Sequence, residues 1–129
     1  MQSQELFGET RLLFFALKQW SETLHAELGV TAAMRGVLEL ILLGGPATVP
    51  GMARAHGVFV ERQDNPAHKR SSMIALTDKG RALTQNMRAE ELNTLSRMQV
   101  GASDSAVLGA AQVLSAWRTA LQRDTASRL

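Results

Sequence analysis

The chain contains no cysteine and no tyrosine, and only three of its 129 residues are proline. Without thiols it has no disulfide, no thiolate zinc site and no cysteine-based peroxide chemistry, and it is compatible with a reducing compartment. The longest apolar run, residues 12–17, falls far short of the ~20 residues that a helical membrane span needs. Glu5 and Glu9 stand where an export signal would be basic. These absences predict a soluble, cytoplasmic protein with no membrane partner. A glycine-rich phosphate loop is also missing, and His25, His56 and His68 share no metal-ligand spacing. Scattered Ser and Asp make no triad. The sequence therefore predicts no enzyme, no cofactor and no metal.

Charge says little in total and more in kind. Fourteen Lys and Arg against twelve Asp and Glu leave a formal net charge of +2, a weak pointer to a polyanion. Eleven of the fourteen are Arg, the side chain suited to bidentate phosphate and groove contacts, although surface Arg is more often a solvated face.

What is present is a series of capped helices around one hairpin. Leu6, Leu13, Leu17, Trp20, Leu24 and Leu28 recur at helical spacing and predict an amphipathic helix over 4–28, closed by Gly29. Thr31 caps a second helix whose Met34, Val37, Leu38, Ile41 and Leu42 face inward until Gly44, Gly45 and Pro46 stop it. Thr48 is placed to cap a third, with Pro50 in its first turn, Met52 and Ala53 on its apolar side and Gly57 at its exit. Residues 59–63 and 72–76 read as short strands, with Asn65 and Pro66 opening the turn between them. Thr77 caps a helix running to Gly101, carrying Leu83, Met87, Leu95 and Met98. Ser103 or Asp104 caps the last, with Val107, Ala111, Leu114, Trp117 and Leu121 on one stripe. The terminal helices look too elongated to cover their apolar faces within one protomer, which predicts a homodimer through 4–28 and 103–124.

These residues resemble the MarR (multiple antibiotic resistance regulator) family across nearly the whole chain. The likeness is carried by Thr48-Val-Pro-Gly-Met-Ala-Arg-Ala-His-Gly-Val58, Phe59-Val-Glu-Arg62, Asn65-Pro-Ala-His-Lys-Arg70 and Leu76-Thr-Asp-Lys-Gly80. Asn65 and His68 stand where the family commonly has Asp, while Arg70, Leu76, Thr77 and Gly80 keep their places. The resemblance implies a mainly α winged helix-turn-helix, with long terminal dimerisation helices (1–30 and 77–129) flanking a DNA-binding lobe (31–76). It also implies a ligand-responsive repressor gripping double-stranded operator DNA. Arg70 at the wing tip, with Lys69 and His68, is the leading DNA contact, because a basic tip can enter a narrow, electronegative minor groove. A solvated turn, or an Arg70 tied to Asp64, is the plainer reading. Thr48 and Arg54 are candidate phosphate contacts, against a cap and a solvated face. Trp20 and Met34 are candidates for an effector pocket taking a small aromatic or amphipathic ligand, against ordinary core packing.

One part of the pattern is missing. After Gly57 and Val58 a helix-turn-helix needs a capped recognition helix and a link to the wing, together about 20 residues, yet Phe59 follows directly. Two readings stand. Either the working protein carries a segment between Val58 and Phe59, or the chain is a dimeric protein-interaction module on a winged-helix scaffold that has lost DNA recognition.

Overall fold

The computed structural model describes residues 2–48, 57–65 and 72–129. Along the chain come α1 (Gln2–Leu24), a 3₁₀ turn (Ala26–Leu28), α2 (Ala32–Gly44), β1 (Val60–Asp64), β2 (Ser72–Leu76), α3 (Asp78–Leu95) and α4 (Asp104–Arg128). They fall into two compact units, Met1–Ser96 and Arg97–Leu129. The fold is the mainly helical winged helix that the sequence predicts.

Helix starts follow from their caps. The hydroxyls of Thr31, Thr77 and Ser103 accept hydrogen bonds from Met34 N–H, Gly80 N–H and Ala106 N–H at 3.1, 3.0 and 3.1 Å, each satisfying an amide with no helical partner. At the far end of α2, Gly45 takes a left-handed φ of 81° and its N–H returns to Ile41 O at 2.8 Å.

Two helix ends differ from the expectation. The first helix stops at Leu24 rather than running to 28; the chain tightens into the 3₁₀ turn, and Gly29 at φ 65° reverses it. The reason lies at His25, whose ring is drawn into a buried ion cluster. The helix capped by Thr77 ends at Leu95, not Gly101. Near that end the hydroxyls of Thr94 and Ser96 donate to Glu90 O and Asn93 O, the side-chain competition that weakens a helix terminus.

β1 and β2 pair antiparallel from Val60 opposite Leu76 to Asp64 opposite Ser72. Ala47 adds a bridge to Ile74, with hydrogen bonds of 3.0 and 2.8 Å, that the sequence did not announce. Ile74, Leu38, Met87, Ile41, Val60 and Val30 form the core, with Met34, Val37, Leu76 and Leu83 packed against it. Each fully buried aliphatic contributes about 1.5–3 kcal/mol, so this cluster holds α2, the hairpin and α3 as one body.

The hairpin is seated on α3 by the Leu-Thr-x-x-Gly motif. Thr77 N–H donates to Phe59 O at 3.1 Å, and its hydroxyl donates to Val58 O. A Cβ on Gly80 would lie 1.9 Å from Phe59 O, so only glycine admits this approach.

On α1, Leu12, Leu13, Phe14, Phe15 and Leu17 are all exposed, with the Phe14 and Phe15 rings edge to face at 5.7 Å. α4, described by itself, has no buried residue; Val107, Leu108, Leu114 and Leu121 are among its exposed apolar side chains. No helix among the described residues is long and apolar enough to cross a membrane.

Candidate functional site

Arg35, Leu38 and Ile41 are the buried residues of α2, a spacing of three that puts a guanidinium on the same stripe as two core aliphatics. A charge there needs partners, and α3 supplies the main one. Arg35 Nε donates to Glu91 Oε2 at 2.7 Å and Nη2 donates to Glu91 Oε1 at 2.6 Å, the bidentate fork that guanidinium and carboxylate geometries share. Glu39, one turn along α2, adds an ion pair to Nη2 at 3.0 Å, and Arg88 reaches the same Glu39 oxygen at 3.5 Å.

His25 completes the cluster from the end of α1. Its ring is fully buried, with Nε2 2.7 Å from Glu91 Oε2. Burial alone would raise the Glu91 pKa, but hydrogen bonds and charge from Arg35 and His25 outweigh it and hold this carboxyl below its ordinary value. It is therefore an acceptor, and His25 Nε2–H donates. Burial likewise opposes the Arg35 charge, and the carboxylates of Glu91 and Glu39 reverse that, raising its pKa. Among the described residues, His25 Nδ1, Arg35 Nη1 and Ser21 Oγ are buried without a hydrogen-bond partner, and the buried Glu39 Oε1 is held only by its ion pairs to Arg35 and Arg88.

This cluster floors a cavity of about 460 Å³ between α1 and α2, walled by Phe14, Leu17, Lys18 and Trp20 on one side and Ala32, Ala33 and Gly36 on the other. A second hollow of about 430 Å³ lies beside it, lined by Gln85, Arg88, Leu92 and Leu95, and Glu39 and Glu91 border both. The cluster is thus a septum between two cavities. Glu22 Oε2 accepts from Ala32 N–H at 2.8 Å, tying α1 to the positive end of α2 beside the larger cavity.

The residues singled out from sequence fall in different places. Trp20 is half-buried and lines the larger cavity. Met34, on the same helix pair, packs against the core cluster and is not among the cavity walls. Thr48 is exposed, next to the Ala47 bridge. Arg54, His68, Lys69 and Arg70 lie outside the described residues. Residues 45–59 are all that connects α2 to β1, and β1 begins two positions after Val58. Among the described residues no group of His, Asp and Glu is arranged to hold a metal ion.

Sequence reasoning missed Arg35, Glu91 and His25. The available signal was Arg35 itself, a charge on an apolar stripe with Glu39 four residues on; nothing local pointed to Glu91, 56 residues away.

No family model matches the sequence, and no curated protein is detectably similar to it. Solved structures are more informative. A MarR family transcription regulator aligns at TM-score 0.62 and 27% identity, over 99% of this chain and 95% of its own. AbfR of Staphylococcus epidermidis aligns at TM-score 0.68 and 14% identity, covering 94% of each chain. Reduced AbfR bound to DNA aligns at 0.55 and 17%, over 90% of this chain and 95% of that one. The ligand-free organohalide-sensing regulator RdhR aligns at 0.61 and 13%, over 92% and 80%. The fold is a MarR-like winged helix, and the structural neighbours are transcription regulators.

Proposed function

We propose that the chain is a sequence-specific, DNA-binding transcriptional regulator of the MarR type, working as a homodimer and acting as a ligand-responsive repressor. The observation that carries this reading is the seated wing: a hairpin locked to α3 through Thr77 and Gly80, within a fold whose neighbours include a regulator bound to DNA. In this mechanism Arg70, Lys69 and His68 at the wing tip read minor-groove shape, Thr48 and Arg54 approach phosphates, and a recognition helix reads the major groove. The exposed apolar side chains of α1 and α4 are the dimer surfaces. The cavity beside Trp20 takes the effector, whose binding changes the spacing between the dimer helices and the DNA-binding lobe. None of the 129 residues is cysteine, so none of them takes that input as thiol oxidation.

The recognition helix belongs, on this reading, to a segment of the working protein between Val58 and Phe59. The rival, a dimeric interaction module without DNA recognition, takes the sequence as it stands, with Phe59 following Val58 directly. Tryptic mapping of the protein isolated from its source separates the two. If the segment exists, the peptide of residues 55–62 is missing and longer ones replace it; if that peptide appears intact, the interaction module is right. Selection from a random DNA library by the intact polypeptide then enriches a pseudo-palindrome, with half-sites about one helical turn apart.

A further inference from the structure

The cavity beside Trp20 has hydrocarbon for much of its wall, and its few polar groups are unevenly used. Arg35 lines it with a side chain more than nine-tenths buried. Glu91 takes the guanidinium edge formed by Nε and Nη2, at 2.7 and 2.6 Å, and because the group is planar Nη1 projects from the other side. Nη1 is buried with no hydrogen-bond partner, and so is the hydroxyl of Ser21, a residue of the same wall. Native interiors rarely leave such groups unpaired, because their lost hydration goes unreplaced.

The charges around the cavity lean the same way. Glu91 and Glu39 are matched by Arg35 and Arg88, through contacts of 2.6 to 3.5 Å. Lys18, exposed on the wall, has no ion pair among the described residues and leaves one positive charge over. Glu22, beside Ser21 in sequence, is engaged by Ala32 N–H at 2.8 Å and is not a wall residue. An apolar space of about 460 Å³ thus holds two polar groups in want of a partner and one spare cation.

We infer that Arg35 is the specificity-determining residue of this cavity: its Nη1, with the Ser21 hydroxyl, takes the carboxylate of a small amphipathic acid while Nε and Nη2 keep their fork on Glu91. The inference rests on the reading of the cavity as the effector site. One guanidinium then serves two carboxylates, one from the ligand and one from α3. Lys18 adds attraction at the wall, and the hydrocarbon covers the body of the molecule. A neutral amide of the same shape brings no charge, and its NH₂ duplicates donors that the site already has.

Calorimetric titration of the intact protein at pH 7 with 4-ethylbenzoate and with 4-ethylbenzamide tests this, in the native chain, Ser21→Ala and Arg35→Lys. Ser21→Ala removes a hydroxyl that has no partner and puts a better helix former in α1, so it folds. Arg35→Lys keeps a positive charge beside Glu91, but an ammonium has no second planar edge to offer a ligand. The native protein is expected to bind the benzoate about tenfold or more tighter than the benzamide, the scale of a charge-assisted hydrogen bond, and each substitution to shrink that preference. Equal or tighter binding of the benzamide overturns the inference, as does failure of both probes to bind. A benzoate preference that survives either substitution also overturns it; if Arg35→Lys does not fold, Ser21→Ala decides. Operator selection is run without either probe, so loss of this inference leaves the DNA-binding reading standing. Benzoate that binds with this dependence on Arg35 yet leaves operator affinity unchanged supports the inference and sinks only the effector reading.

Discussion

Glu91 is the residue on which the interior depends most. It takes three hydrogen bonds, two from Arg35 and one from His25, and removing it leaves a buried guanidinium with only Glu39 beside it. Glu91→Ala is expected to cost about 3–5 kcal/mol in urea unfolding, while Arg35→Met with Glu91→Leu costs less than the single change, because no charge is then stranded. The same carboxylate sets an acid limit. Its folded pKa lies below its unfolded value of ~4.3, so its stabilisation is complete above that value and is lost as pH falls through the lower one. The urea midpoint of the native protein should therefore drop on acidification below ~4.3, more steeply than that of Glu91→Gln; parallel curves would refute the linkage. Gly80 is the other sensitive position. Gly80→Ala puts a methyl against the Phe59 carbonyl and is expected to cost about 1–3 kcal/mol in thermal or urea unfolding. The motif around Gly80 was legible because its residues are contiguous. Glu91 was not, because nothing in a linear reading says which distant carboxylate a buried Arg will meet.

At the scale of elements, caps and periodicity were enough to place the hairpin and the starts of α2, α3 and α4 within a residue, while α1 begins at Gln2, two residues ahead of the expected start. Where α1 and α3 end was not legible. The apolar spacing continues past both ends, and what stops α1 is the tertiary capture of His25 by Glu91, a contact no helical pattern encodes. The wing was legible as a hairpin, and its function is a matter for its tip. Arg70→Ala is expected to weaken operator binding by about 1–3 kcal/mol and to make its salt dependence shallower, with the melting temperature nearly unchanged. Binding indifferent to the change, measured at two salt concentrations, would remove the wing from the interface.

For the whole molecule, the apolar side chains left outside the core on α1 and α4 are the largest fact. Leu12, Leu13, Phe14 and Phe15 are each more than half exposed in the single chain. A second copy covering them would bury well over ~1,000 Å² of total surface, in the range of stable interfaces. Sedimentation at micromolar concentration is expected to show a dimer, and Leu13→Glu with Phe15→Glu a monomer; a monomeric native protein would refute the assignment. Thr77 brings time into the picture. One hydroxyl holds both the Gly80 amide in the first turn of α3 and the Val58 carbonyl ahead of the wing, while the backbone N–H beside it holds the next carbonyl. The helix start therefore cannot fray without releasing the strand, and the two become a single opening event. In deuterium exchange the amides of Thr77 and Gly80 should trade their protons at one shared rate, and Thr77→Val should accelerate both together.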